Sequence, residues 1–120
     1  MIGLFVCAAG GIGALSRFIT DGLIRSRFGR VFPWGTIFIN VSGALLLGIV
    51  TGLTLHHGMP LKYKLIIGTG FCGGYTTFST ASFEAVRLLE EKRFWSALMH
   101  VAANAGLTIL AATAALTILR

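Results

Sequence analysis

The sequence predicts an all-α membrane protein with four transmembrane helices, the third of them broken mid-membrane. Three observations carry this. Only 12% of the 120 residues are charged and 55% are hydrophobic, whereas a soluble domain carries about 25% charged residues. The apolar residues gather into four runs, each about 20 residues or slightly more, enough to cross a bilayer core. Inside the third run, Gly68-Thr69-Gly70-Phe71-Cys72-Gly73-Gly74 is a poor helix, because each of its glycines weakens a helix by roughly 1 kcal/mol relative to Ala. Thr76-Thr77-Phe78-Ser79-Thr80 then sets four hydroxyls around one aromatic ring. Irregular backbone at membrane depth is tolerated only where it is buried in protein or lines a watery cavity. An ion or solute site near the middle of the membrane is therefore expected.

The first span covers residues 4–20, with Gly10, Gly11 and Gly13 at its middle. Met1-Ile2-Gly3-Leu4 has no basic n-region, so this run reads as a retained span and not a cleaved signal peptide. A basic connector with Arg25, Arg27 and Arg30 follows. Pro33 and Trp34 open the second span, residues 33–55; Pro suits a helix's first turn and Trp a membrane interface. Within it, Gly48-Ile49-Val50-Thr51-Gly52 is a GxxxG packing face. His56-His57-Gly58-Met59-Pro60 is a solvated turn. The third span covers residues 62–91, broken near 73–78, and after Glu90-Glu91-Lys92-Arg93 the fourth covers 94–119. The four spans make one membrane domain of residues 1–120, with no internal repeat and no room for a domain outside the bilayer.

The net charge is +6, from ten Lys and Arg against four Asp and Glu. In a soluble protein this would suggest nucleic acid. Here the cations sit between apolar runs, so the expected partner is a lipid bilayer with anionic headgroups. The connectors after spans one and three carry Arg25, Arg27, Arg30, Lys92 and Arg93, and the opposite side carries Lys62, Lys64 and Arg120. Five against three places the termini outside the cytoplasm by the positive-inside rule, a bias small enough to leave dual insertion open. Cys7 and Cys72 have neither metal spacing nor a disulfide framework and read as small packing residues.

Few residues carry chemistry. Arg17, near the end of span one, either snorkels to the interface or stands at the mouth of an anion path. Asn40, mid-span, either glues helices together or turns its two amide donors to a pore. Glu84 lies about a turn past Thr80, and an intramembrane carboxylate is a functional candidate by default. His100, Asn104 and Thr108 recur at intervals of four and share a helix face, where interhelical hydrogen bonding is the plainest reading. Gly68-x-Gly70-x-x-Gly73 matches a dinucleotide fingerprint but lacks the preceding strand that fingerprint needs. With no nucleophile–base pair, metal cluster or paired carboxylates, the sequence does not read as an enzyme.

At these residues the chain resembles the fluoride channels of the Fluc (CrcB) family. Gly10-Gly11-Ile12-Gly13-Ala14-Leu15-Ser16-Arg17 is similar to the family's first-helix block, and Pro33-Trp34-Gly35-Thr36-Ile37-Phe38-Ile39-Asn40-Val41-Ser42-Gly43 to its second. Gly73-Gly74-Tyr75-Thr76-Thr77-Phe78-Ser79-Thr80, followed by Glu84, is similar to its third and most specific block. The resemblance covers the whole chain, the fourth span only loosely. It implies an antiparallel dual-topology dimer in the plasma membrane, with two fluoride pores at the subunit interface and passive export of toxic fluoride. It also implies a structural sodium ion on the dimer axis, held by the backbone carbonyls of Gly73 and Thr76 from each subunit. Asn40 would donate to fluoride in the pore and Arg17 would sit in a vestibule. Ser79 and Thr80 would line a polar track, with Glu84 nearby and Thr108 at the fourth-helix hydroxyl position. Phe78 would be one ring of the family's phenylalanine pair; an aromatic edge is electropositive and can face a small anion.

One departure stands out. The family's second Phe follows three residues after the first, where this chain has Ala81. Phe83 is no simple replacement, since helix residues two apart point about 200° away from each other. A homodimer would leave both pores short of a ring, which favours a heterodimer with a second family member that carries both. Two rival readings remain. A small multidrug-type exporter needs a carboxylate in the middle of span one, and only Asp21, at its end, is present. A non-transporting membrane assembly subunit explains the glycines but not a break lined by four hydroxyls.

Overall fold

The computed structural model describes residues 1–29 and 31–120; Arg30, a cation of the first connector, lies outside the described residues. Helix α1 spans Ile2–Phe28 and so runs well past the expected end of the first span. Asp21 and Arg25 form an ion pair at i,i+4 spacing, and Arg25 and Arg27 sit in the last turn, where the helix dipole favours cations. No residue stops the helix until Gly29, which takes φ 84°. Most of the basic connector is thus the end of a helix.

Helix α2 spans Trp34–His56 behind Pro33, and Gly58 turns the chain with φ 74°. Helix α3 covers residues 61–75. It opens with an α-helical turn at Leu61–Tyr63, continues as a π-helix over Lys64–Cys72 and closes with Gly73–Tyr75. Thr76 is extended, with ψ 159°, and ends it. Helix α4 spans Ser79–Glu90, and after a turn in which Lys92 has φ 60°, α5 spans Phe94–Ile118. The described residues contain no β-strand. Helices α1, α2 and α5, of 27, 23 and 25 residues, are each long and apolar enough to cross a membrane. The fourth passage is made by α3 and α4 in series. The chain is an all-α, multi-pass membrane protein, and its 48 Å long axis matches a bilayer of about 40–45 Å with its headgroups.

The glycines of the third span do not break it. Gly68, Gly70, Gly73 and Gly74 all lie within the helix, and the backbone departs only at Thr76. Two of them are where α3 meets α1. A Cβ on Gly70 would lie 2.8 Å from the Val6 carbonyl oxygen, and one on Gly74 only 2.1 Å from that of Gly10. Gly13 of α1 is as tight, 2.2 Å from the Phe71 carbonyl oxygen. The GxxxG of α2 works the same way toward α5: a Cβ on Gly48 would meet Ala112 and Ala115, and one on Gly52 would meet Leu119. Small residues let backbones approach where lipid supplies no hydrophobic drive between helices. Ile39, Val50, Tyr75 and Leu88 are buried between the helices, with Thr36 and His100 as buried polar members.

Candidate functional site

The break between α3 and α4 releases backbone groups that helices normally pair, and their partners define the site. The Cys72 carbonyl accepts from the Thr76 N–H at 2.9 Å and from the Thr76 hydroxyl at 2.7 Å. The Gly74 carbonyl accepts from Arg17 Nε at 3.3 Å. Asn40 grips Thr77 twice, with Nδ2 donating to the Thr77 carbonyl at 3.1 Å and Oδ1 accepting from the Thr77 N–H at 2.9 Å. The Thr77 hydroxyl accepts from the Thr80 N–H at 3.1 Å and closes the first turn of α4. Among the described residues, no hydrogen-bond donor reaches the carbonyls of Gly73 and Thr76. These two oxygens are free to hold a cation.

A groove of about 790 Å³ opens beside the break and is lined by Asn40, Gly73, Thr76, Phe78, Ala81 and Thr108, among others. Phe78 is 87% exposed on its wall. A bare ring at the centre of a membrane protein needs either lipid or a second chain against it. The Thr108 hydroxyl donates back to the Asn104 carbonyl of its own helix at 2.5 Å, a bond it must release before it can serve a ligand.

The remaining expected residues lie elsewhere. Thr80 lines a separate cavity of about 700 Å³ with Arg17, Asp21, Arg25, Thr36 and Thr77. Glu84 accepts from the Thr36 hydroxyl at 2.5 Å and lines a smaller cavity of about 340 Å³ beside Trp34, Phe83 and Arg87. Ser79 is exposed and lines none of the three cavities. The break thus divides the polar residues between two faces, with Asn40, Phe78 and Thr108 on one and Arg17 and Thr80 on the other. Phe83 lines the cavity beside Glu84 and not the groove of Phe78 and Ala81.

Asn40 and Arg17 both have more local work than the sequence shows. The second N–H of Asn40 donates to Asn104 Oδ1 at 2.8 Å, so an anion reaching this amide competes with Asn104. Arg17 sets its cation against the carbonyl end of α3, where the helix dipole is negative. The sequence did not single out Thr77 as the point both helices hang from; it gave Asn104 an interhelical hydrogen bond, which the structure shows, without naming Asn40 as the partner. The only signal is that Thr77 follows the glycine block and Asn104 shares a face with His100 and Thr108.

Residues 4–116 match the profile of the CrcB-like protein family, described as Camphor Resistance (CrcB). The protein named Fluoride-specific ion channel FluC 1 of Leifsonia xyli is 50% identical over 115 residues, covering 96% of this chain and 82% of that protein. The one named Fluoride-specific ion channel FluC of Rhizobium meliloti is 38% identical over 118 residues, covering 98% and 94%. A shorter match, to Fluoride-specific ion channel FluC 2 of Cutibacterium acnes, is 55% identical over 85 residues, covering 70% and 69%.

Proposed function

The chain belongs to the CrcB-like family, and from that premise we propose that it is a fluoride-selective ion channel of the plasma membrane. It would let toxic fluoride leave the cell down its gradient, without ATP and without an enzymatic step. The observation that carries this reading is the groove in which Phe78 stands exposed beside Asn40 and Thr108 at a helix break. A ring edge offers an anion weak positive contacts, and the amide and hydroxyl offer hydrogen-bond donors. Weak contacts of this kind replace water yet allow the ion to depart. Arg17, held at the carbonyl end of α3, would draw anions toward the second cavity.

The groove is open along one side of a single chain, and we propose that a second subunit in antiparallel orientation closes it. Gly73 and Thr76 line that groove, and their unpartnered carbonyls suit sodium, a hard cation that prefers oxygen ligands. A sodium ion bound there would supply a fixed positive charge joining the two broken helices. In purified protein reconstituted into liposomes, fluoride efflux read by a fluoride electrode should be fast and chloride efflux absent. Comparable fluxes of the two ions would refute the reading.

Ala81 bears on which second subunit is used. It lines the same groove as Phe78, where an added ring would face the ion. Ala81→Phe is expected to raise fluoride flux through the homodimer, and Phe78→Ala to lower whatever flux the unmodified chain supports. The added ring risks overpacking, worth about 1–3 kcal/mol, so dimer assembly is measured beside flux. A well-assembled Ala81→Phe dimer that conducts no better than the parent would show that the missing ring does not limit this chain.

A further inference from the structure

A chain of side-chain hydrogen bonds runs through the membrane interior from Thr77, in the break, to Ala81, in α4, and its polarity is fixed at both ends. At one end the Thr77 backbone presents one donor and one acceptor, so Asn40 must turn Oδ1 to the N–H and Nδ2 to the carbonyl. The remaining Asn40 N–H then requires an acceptor, which makes the atom of Asn104 at 2.8 Å its Oδ1. The Nδ2 of Asn104 is left to donate to the His100 carbonyl at 2.9 Å and to His100 Nδ1 at 3.1 Å. Nδ1 is therefore an acceptor, and the ring proton sits on Nε2, which donates to the Ala81 carbonyl at 3.0 Å. His100 is 1% exposed, and the described residues contain no buried side-chain polar atom without a partner.

We infer that His100 is a positioning residue: through Asn104 it sets the amide of Asn40, so that together they clamp residues 77–81 and hold the Phe78 ring in the groove, and only its neutral Nε2–H form can do so. The consequence for transport rests on the fluoride-channel reading; the clamp itself does not. A protonated ring would turn Nδ1–H toward Asn104 Nδ2, donor against donor. Asn104 cannot flip to accommodate it, because its Nδ2 would then face the Asn40 Nδ2, which the Thr77 backbone holds in place. One link must break, and the segment carrying Phe78 loosens.

Among the described residues, no charged side chain forms an ion pair or hydrogen bond with the ring. On α4, Glu84 is held by Thr36 and Arg87 pairs with Glu91. On the approach to α5, Arg93 pairs with Glu91. The link to α2 is made through Asn40 and Asn104, both uncharged, and the Phe32 ring stands edge-on to the imidazole at 6.2 Å between centroids.

Two measurements test this. In reconstituted protein at neutral pH, with leak from protein-free liposomes subtracted, His100→Leu, which removes both ring nitrogens, should cut fluoride efflux roughly tenfold, the factor set by one disrupted buried hydrogen bond. His100→Asn places an amide oxygen where Nδ1 accepts but is too short to reach the Ala81 carbonyl, so its rate should fall between those of the parent and His100→Leu. A His100→Leu variant as fast as the parent, or a His100→Asn variant as slow as His100→Leu, overturns the inference. The second measurement is 15N NMR of labelled histidine, of which the chain has three. His100 should show the neutral Nε2–H tautomer at neutral pH, and an Nδ1–H tautomer or a charged ring there overturns the clamp whether or not the protein transports. The expected tautomer in a protein that passes no fluoride would sink the channel reading and leave the clamp standing.

Discussion

Gly74→Ala should force α1 from α3 and abolish transport, while Gly73→Ala, one residue earlier, should leave the fold intact. The new Cβ at position 74 would lie 2.1 Å from the Gly10 carbonyl oxygen, 2.9 Å from its carbon and 3.0 Å from its Cα, whereas a Cβ at position 73 meets nothing within 4 Å. Overpacking typically costs about 1–3 kcal/mol and occasionally more. Backbone cannot rotate away as a side-chain tip can, so the effect here belongs at the top of that range. The same helix approach brings the Gly74 carbonyl to Arg17, so the substitution also removes a cap from the end of α3. Thermal unfolding in detergent separates the two variants. Equal stability of Gly74→Ala and Gly73→Ala would show that α1 and α3 are not packed this closely.

Asn40→Asp should nearly eliminate fluoride flux in a protein that still assembles. The carboxylate keeps the acceptor that Thr77 N–H needs. It loses both donors, and sets its second oxygen against both the Thr77 carbonyl and Asn104 Oδ1. Each buried polar group left without its partner costs about 1–3 kcal/mol, and an ionised oxygen repels an anion besides. Asn40→Ala removes the repulsion but leaves the Thr77 N–H unpaired, so it should be impaired less. Flux through Asn40→Asp equal to that of Asn40→Ala would mean that the added negative charge does not matter, and parental flux through either would remove Asn40 from the site.

Composition and the apolar runs were enough to read an all-α membrane protein with a break in its third passage. The reason for the break was misread. Glycines 68, 70, 73 and 74 are weak helix formers, but here they stay helical and serve close contacts. The chain leaves the helix at Thr76 and is then tied down by Asn40 of another helix. Propensity along one segment cannot register a hydrogen bond supplied from 37 residues away. The end of α1 was placed too early because charge was taken as the mark of a loop, while Asp21 and Arg25 pair along the helix and carry it on. The split between Phe78 and Thr80 was within reach: residues two apart on a helix face opposite ways, the rule that had already set Phe83 apart from position 81. The roles of Asn104 and His100 were not, because a shared helix face tells which side chains are neighbours but not which way an amide or an imidazole points. That direction comes only from the backbone groups at Thr77 and Ala81.

The most direct test of the channel assignment is electrical. With the protein in a planar bilayer, fluoride on one side and chloride on the other, the reversal potential should follow the fluoride gradient and be unmoved by changes in chloride. A reversal potential that shifts with the chloride gradient would contradict it.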